Sequence, residues 1–139
     1  MKGFNTHLAL LFKNVIFIFI TLLVFSANSV QAKGWYQGGT LHEANAITWQ
    51  KATQQDKLAT CADFIAGLYS KDLLVPEISE KMKSVDDFKP YASELVKQLD
   101  AAFAPEPEPD PAQNKKMFTN QTVKSTAMML MVMMKWVQN

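Results

Sequence analysis

The single cysteine and a histidine are the first side chains in this sequence whose chemistry suggests catalysis. A thiolate becomes a strong nucleophile when an imidazole takes its proton, and Cys61 and His42 are residues of these two types. However, His42 falls in the expected first turn of a helix, and no glycine loop that could bind an oxyanion is evident. The pattern therefore favours a buried thiol and a surface histidine over a catalytic pair.

Three carboxylates close to these residues in the sequence are a second candidate group. Glu43, Asp56 and Asp63 could serve as a general acid and base, a role that carboxylates fill in many enzymes. Their spacing is instead typical of helix caps and of a solvated helix face. We therefore expect neither a catalytic residue nor a cofactor in this chain.

Methionine is concentrated near the end of the chain. Five of the eight methionines lie between Ala127 and Met134, where every residue is apolar (AMMLMVMM). Thioethers are soft ligands for Cu(I), and Met129 and Met133 would share one helix face. No histidine or cysteine lies near them in the sequence, so packing or an adaptable protein-binding surface is the favoured use. The predicted partner contacts are Met128, Met129, Val132, Met133 and Trp136.

The stretch Leu58–Tyr69 (LATCADFIAGLY) holds the cysteine and is the clearest amphipathic helix. Thr53 is its predicted N-cap, and Gly67 is expected to let a neighbouring backbone approach closely. The apolar residues that recur at the i, i+3, i+4, i+7 spacing of one helix face are Leu58, Cys61, Ala62, Ile65, Leu68 and Tyr69. The residues expected on the opposite, solvated face are Asp56, Lys57, Thr60 and Asp63.

Three further helices are predicted before residue 105. A capping box at Thr40–Glu43 predicts a first helix over residues 41–52. Pro76 is expected to open a short helix that ends at Met82, because proline is tolerated in the first helical turn. A stripe of apolar residues predicts a longer helix over residues 84–104, with Pro90 in its first turn. The candidates for its cap are Asp86 and Asp87.

The C-terminal part is predicted to contain a linker and one more helix. Residues 105–114 alternate proline with acidic residues, which favours an extended chain that spans roughly 30 Å. Residues 115–139 are expected to form a Met-rich unit that packs back on the domain of residues 33–104. Its helix is predicted over Thr119–Val137, and the candidates for its cap are Thr119 and Asn120.

Residues 1–32 have the three-part organisation of a secretory signal peptide. Lys2 gives a basic start, and Val15–Phe25 is an apolar run. Val30-Gln31-Ala32 places small or modest residues at −3 and −1 of a cleavage point before Lys33. The alternative is an uncleaved membrane anchor, but the run is shorter than the ~20 apolar residues of a spanning helix. We therefore expect a periplasmic or secreted protein with no stable membrane span after cleavage.

The rest of the chain has the size and charge of one small globular domain. Every basic residue is a lysine; two of the fourteen lie in the leader, which leaves twelve lysines against thirteen acidic residues. Without net positive charge, and without arginine to hold phosphates, nucleic-acid binding has little support. The periodic segments predict an all-α fold, a bundle of four to five helices.

Several short motifs of the chain occur together: Gly39-Thr40-Leu41-His42, Trp49, Ala52-Thr53, Lys57-Leu58-Ala59-Thr60 and Asp63. These motifs resemble those of a family of small exported bacterial proteins. Members also have a later Asp-Phe helix, similar to Asp87-Phe88, and a final apolar helix. The resemblance implies export and a helical fold, and it implies no activity. The pentapeptide at 60–64 is in addition similar to periplasmic acid-stress chaperones, which close a disulfide with a second cysteine that this chain lacks.

These observations predict an exported, non-enzymatic helical protein that binds, inhibits or shields another protein. The expected partner is another periplasmic protein or a second copy of the chain. The alternative is a soft-metal (copper) or redox protein that uses the methionines and Cys61.

Overall fold

The computed structural model describes residues 33–107 and 110–138, and these residues contain six α-helices and one 3₁₀ turn. The prediction of an all-α bundle is confirmed: these residues contain no strand, only two isolated β-bridges. The predicted signal peptide at 1–32 lies outside the described residues. The helices are α1 (Ala46–Lys51), α2 (Gln54–Tyr69), α3 (Pro76–Ser79), α4 (Lys89–Ala102), α5 (Pro111–Phe118) and α6 (Val123–Met133), and the 3₁₀ turn is Val85–Phe88.

Helix α2 forms the centre of the core and packs chiefly against α4. Its predicted N-cap is confirmed, because the Thr53 hydroxyl accepts a hydrogen bond from the Asp56 amide at 3.2 Å. Cys61, Ile65 and Leu68 are buried as the apolar spacing predicts.

Two predictions about the polar side of α2 are wrong. Lys57 and Thr60 are buried rather than solvated, at 6% and 0% exposure. Burial is tolerated because both find polar partners: Lys57 binds the Asp100 carboxylate and Thr60 accepts from the Leu41 amide. Gly67 does not admit a neighbouring backbone, since no atom lies within 4 Å of the place a Cβ would occupy.

The first helix begins at Ala46, five residues later than predicted. Asn45 is its cap and accepts from the Thr48 amide at 3.0 Å. The expected capping box at 40–43 does not form, because both of its members have other partners. Thr40 donates to Asp56 through its amide and its hydroxyl, and Glu43 pairs with Lys124 at 2.9 Å.

The middle of the chain is more broken than predicted. Helix α3 ends at Ser79 instead of Met82, although the Met82 side chain is buried. Neither Asp86 nor Asp87 is the N-cap of the next segment. Ser84 takes that position, and its amide and hydroxyl both donate to Asp87, at 2.6 and 2.9 Å. These bonds lower the pKa of the Asp87 carboxyl, with the hydroxyl bond as the largest cause.

The predicted extended linker is wrong from Pro111 onward. Pro111 opens α5, because a proline in the first turn loses only an amide that has no helical partner. Asp110 caps this helix by accepting from the Ala112 amide at 2.9 Å. The last helix is accordingly shorter than predicted: it runs over Val123–Met133 and Thr122, neither Thr119 nor Asn120, is its cap.

Helix α6 contributes one of its faces to the core. Val123, Ala127 and Met131 are buried at 0–1% exposure, and the helix packs against α4. Their i, i+4, i+8 spacing gives a single buried stripe. The rest of the helix is therefore free to carry another surface.

Backbone hydrogen bonds fix the segments at both ends of α6. At its start, the Ala46 amide donates to the Gln121 carbonyl at 2.8 Å, and the Val123 amide donates to the Ala44 carbonyl at 2.9 Å. Beyond its end, two further bonds of 2.9 Å join residues 136 and 138 to residues 75 and 73. The last part of the chain is thus tied to two earlier loops.

Candidate functional site

The segment Gly39–His42 lies along α2 and is held there by several contacts. The Thr40 hydroxyl donates to Asp56 Oδ2 at 2.6 Å, and His42 Nε2 lies 3.0 Å from Asp63 Oδ2. Gly39 sits against the α2 backbone, where an added Cβ would lie 2.7 Å from the Thr60 nitrogen. The motifs that carry the family resemblance therefore include residues that dock this segment on α2.

Cys61 and His42, which were considered as a catalytic pair, have different surroundings in the fold. Cys61 is fully buried, whereas His42 reaches the surface and contacts Asp63. Burial is the main cause that raises the pKa of the Cys61 thiol well above its usual range; the Asp100 charge adds to it and the Lys57 charge opposes it. Since the thiolate is the reactive form, this environment disfavours Cys61 as a nucleophile or metal ligand.

The three candidate carboxylates each bind a different partner. Asp56 holds Thr40, Asp63 holds His42, and Glu43 holds Lys124. Within the described ranges, no three His, Cys, Asp or Glu residues come together in a way that could hold a metal ion.

A polar cluster, missed by the sequence analysis, joins α1, α2 and α4; its Trp49 and Lys57 are buried, whereas the Asp100 side chain is 38% exposed. Asp100 Oδ1 accepts from Lys57 Nζ at 2.8 Å and from Trp49 Nε1 at 2.9 Å. The Lys57 ammonium also lies 5.3 Å from the centroid of the Trp49 ring, within the range of a cation–π contact. Because all three groups are satisfied by one another, the cluster is a structural tie.

The predicted partner contacts on α6 lie mostly on its outer side. We call Met128, Met129, Val132 and Met133 the methionine face; their exposures are 43%, 55%, 50% and 68%. Trp136 is only partly exposed, and its ring packs edge-to-face on Tyr91 at 5.4 Å. The structure therefore brings four of the five predicted residues together and assigns Trp136 to packing.

A second apolar surface was not predicted. A groove of about 330 Å³ lies beside α2, next to the 3₁₀ turn. Its only charged lining residues are Asp63 and Lys83. One signal in the sequence could have revealed it: two alanines one helical turn apart, followed by a tyrosine. We call it the aromatic groove; the residues that define it are Trp35, Tyr36, Ala62, Ala66, Tyr69 and Phe88.

The rings of the aromatic groove are held in place by specific contacts. Trp35 Nε1 donates to Asp86 Oδ1 at 2.8 Å, and Lys89 Nζ lies 5.7 Å from the centroid of the Trp35 ring. Tyr69 and Phe88 pack edge-to-face with centroids 5.4 Å apart. Rings fixed in this way lose little side-chain entropy on binding, which favours a preformed site.

Comparison with known proteins gives no assignment: no family model, no curated protein and no solved structure matches the chain. None of the described helices is both long enough and apolar enough to cross a membrane. The function must therefore be inferred from the two apolar surfaces and the chemistry around them.

Proposed function

We propose that this protein is an exported, non-enzymatic binding protein that engages another protein through the methionine face of α6. The observation that carries the proposal is the exposure of four adjacent apolar side chains on a helix whose opposite side is buried. The fractional exposures of its four side chains correspond to an apolar surface on the order of 400 Å². Apolar patches of this size on soluble proteins are often binding sites. Unbranched thioether side chains can adapt their shape to a partner.

The test compares three variants of the exported protein. Met129→Lys/Met133→Lys places two charges on the face, and we expect it to lose the partner while its thermal melt stays unchanged. Met129→Leu/Met133→Leu keeps the face apolar but removes both thioethers, and we expect partner binding to persist. Met117→Lys is the matched control, since Met117 is 42% exposed on α5, and we expect it to have no effect.

Binding is measured by crosslinking in the native compartment, from a photoreactive residue at Val132. A crosslink that survives the double Lys variant would contradict the proposal. A copper function predicts a different pattern in native mass spectrometry. The wild-type protein and the Met117→Lys control should then retain bound Cu(I), and the Met129→Leu/Met133→Leu variant should lose it.

A further inference from the structure

The methionine face and the aromatic groove are complementary in shape and in chemistry. The face is a convex helix surface, and Met133 is its most exposed residue at 68%. The groove is concave and is lined by four aromatic rings. Thioether sulfurs make favourable contacts with aromatic rings, and a single docking event would cover both surfaces.

We propose that the aromatic groove receives the methionine face of a second copy of this chain. This inference rests on the proposed function, because it names the partner that the face engages. The two surfaces share no residue: the face belongs to α6, while the groove is lined by α2, the 3₁₀ turn and the residues before and after them. Each copy can therefore offer its face to one neighbour and its groove to another.

The charges beside the two surfaces favour one orientation of this pairing. The groove is lined by one carboxylate, Asp63, whose side chain is 47% exposed and contacts His42, and by one ammonium, Lys83. Lys135 is exposed two residues after Met133, and its φ of 59° ends the helix there. In the orientation that places Lys135 beside Asp63 and away from Lys83, the ammonium next to the inserted methionine would meet a carboxylate. Because both groups are partly solvated, this attraction should weaken as salt is added.

Pairing of two methionine faces fits the sequence less well. In its first turn, the outer side of α6 carries Lys124 and Ser125 in place of methionine. If two copies of α6 paired antiparallel, this polar turn would lie against the methionines of the other copy and would be desolvated. The corresponding cost at the groove is smaller, since most of the residues that line it are apolar or aromatic.

The size of the contact predicts weak association. The methionine face supplies roughly half of the ~800 Å² per partner that a standard interface buries. We therefore expect a dissociation constant of about 0.1–1 mM. A face-to-groove contact is not self-complementary, so the copies form short chains or a closed ring rather than a simple two-fold dimer.

The experiment uses two variants that each destroy one surface. Met133→Lys removes the face but keeps the groove, and Ala66→Trp fills the groove but keeps the face; Ala66 is exposed, so the added ring need not disturb the core. Sedimentation equilibrium should show concentration-dependent association of the wild-type protein and a monomer for each variant alone. An equimolar mixture of the two variants should form a one-to-one pair, at an affinity within about threefold of the wild-type contact.

Each other outcome overturns the inference in a distinct way. Association of Ala66→Trp alone would indicate face-to-face pairing, and association of Met133→Lys alone would indicate contact through the grooves. A wild-type protein that stays monomeric up to about 1 mM would exclude a second copy as the partner. The crosslinking experiment would still test the proposed function in that case. A crosslink to a different protein that is lost in Met129→Lys/Met133→Lys would support binding through the methionine face without self-association. If Ala66→Trp fails to fold, Val85→Lys at the same groove replaces it.

Discussion

Adding one methyl group at Gly39 should destabilise this protein more than its position outside the helices suggests. A Cβ at this position would lie 2.7 Å from the Thr60 nitrogen, 2.8 Å from its Cα and 2.9 Å from the Ala59 carbonyl carbon. All three are backbone atoms of α2, so no side chain can rotate away to make room. In Gly39→Ala the segment 39–42 must therefore move off the helix.

The cost follows from what that segment contributes. Leu41 is 4% exposed, and uncovering a leucine side chain costs ~1.5–3 kcal/mol. The bonds from Thr40 to Asp56 are made to a charged carboxylate, and bonds of this kind contribute ~1.5–3 kcal/mol when buried and less at a partly solvated site. Since part of each contact survives a small shift, we expect the free energy of unfolding to fall by ~2–4 kcal/mol.

Gly67→Ala is the matched control, because the same methyl group meets nothing within 4 Å there. Gly67 lies inside α2, and alanine in a helix interior is favoured over glycine by ~0.5–1 kcal/mol. The two substitutions should thus change stability in opposite directions.

Urea denaturation followed by circular dichroism measures both changes, with the m-value as a check that the unfolded states are comparable. For a domain of this size, each kcal/mol corresponds to roughly 4–8 °C in melting temperature. A Gly39→Ala variant within ~0.5 kcal/mol of the wild type would refute the reasoning, since it would mean that the segment is not seated on α2. Destabilisation by Gly67→Ala would show that α2 is covered there by a part of the protein or by a partner.

Three further predictions concern the core. Ile65→Ala should lower the free energy of unfolding by ~2–5 kcal/mol, whereas Asp63→Ala should lower it much less because that carboxylate is exposed. If urea titrations gave equal losses of unfolding free energy for the two variants, this placement of α2 would be contradicted. Native Cys61 should react slowly with a thiol reagent and quickly in denaturant. Because folding raises the pKa of this thiol, the contribution of the thiol to stability is complete below the unfolded pKa of ~8.5 and declines as the pH rises above that value. Thermal melts between pH 7 and 10 should show this decline for the wild type and not for Cys61→Ala. Truncation before Lys115 should abolish cooperative unfolding, since it removes three buried residues of α6; a cooperative melt at the wild-type temperature would show that α6 is dispensable.

Local patterns predicted the parts of this fold that depend on local physics. The Thr53 cap and the apolar stripe through Ile65 were found because both act within a few residues of the chain. The capping box at Thr40 was a convincing local pattern and still failed, because Asp56 competes for the same hydroxyl from sixteen residues away. A tertiary hydrogen bond of this kind cannot be inferred from spacing alone.

The two candidate surfaces differ in how far the sequence could predict them. The methionine face was predicted because a run of apolar residues on every side of a helix exceeds what one core contact can cover. The aromatic groove was missed because its walls come from three separated segments: Trp35, Tyr69 and Phe88 meet only in the folded chain. The burial of Lys57 was missed for the same reason, since its partner Asp100 is forty-three residues away.

The bonds that join residues 136 and 138 to the loop after α2 also bear on how fast the protein folds. Gln138 donates to the Leu73 carbonyl through its amide, and to the Leu74 carbonyl through its side chain at 2.6 Å. The side-chain bond alone joins positions that are 64 residues apart in the sequence. Closing a loop of that length costs conformational entropy before the contact can stabilise the fold. These contacts should therefore form late, after the neighbouring helices have packed, and the rate of folding should depend on how quickly the two distant segments meet.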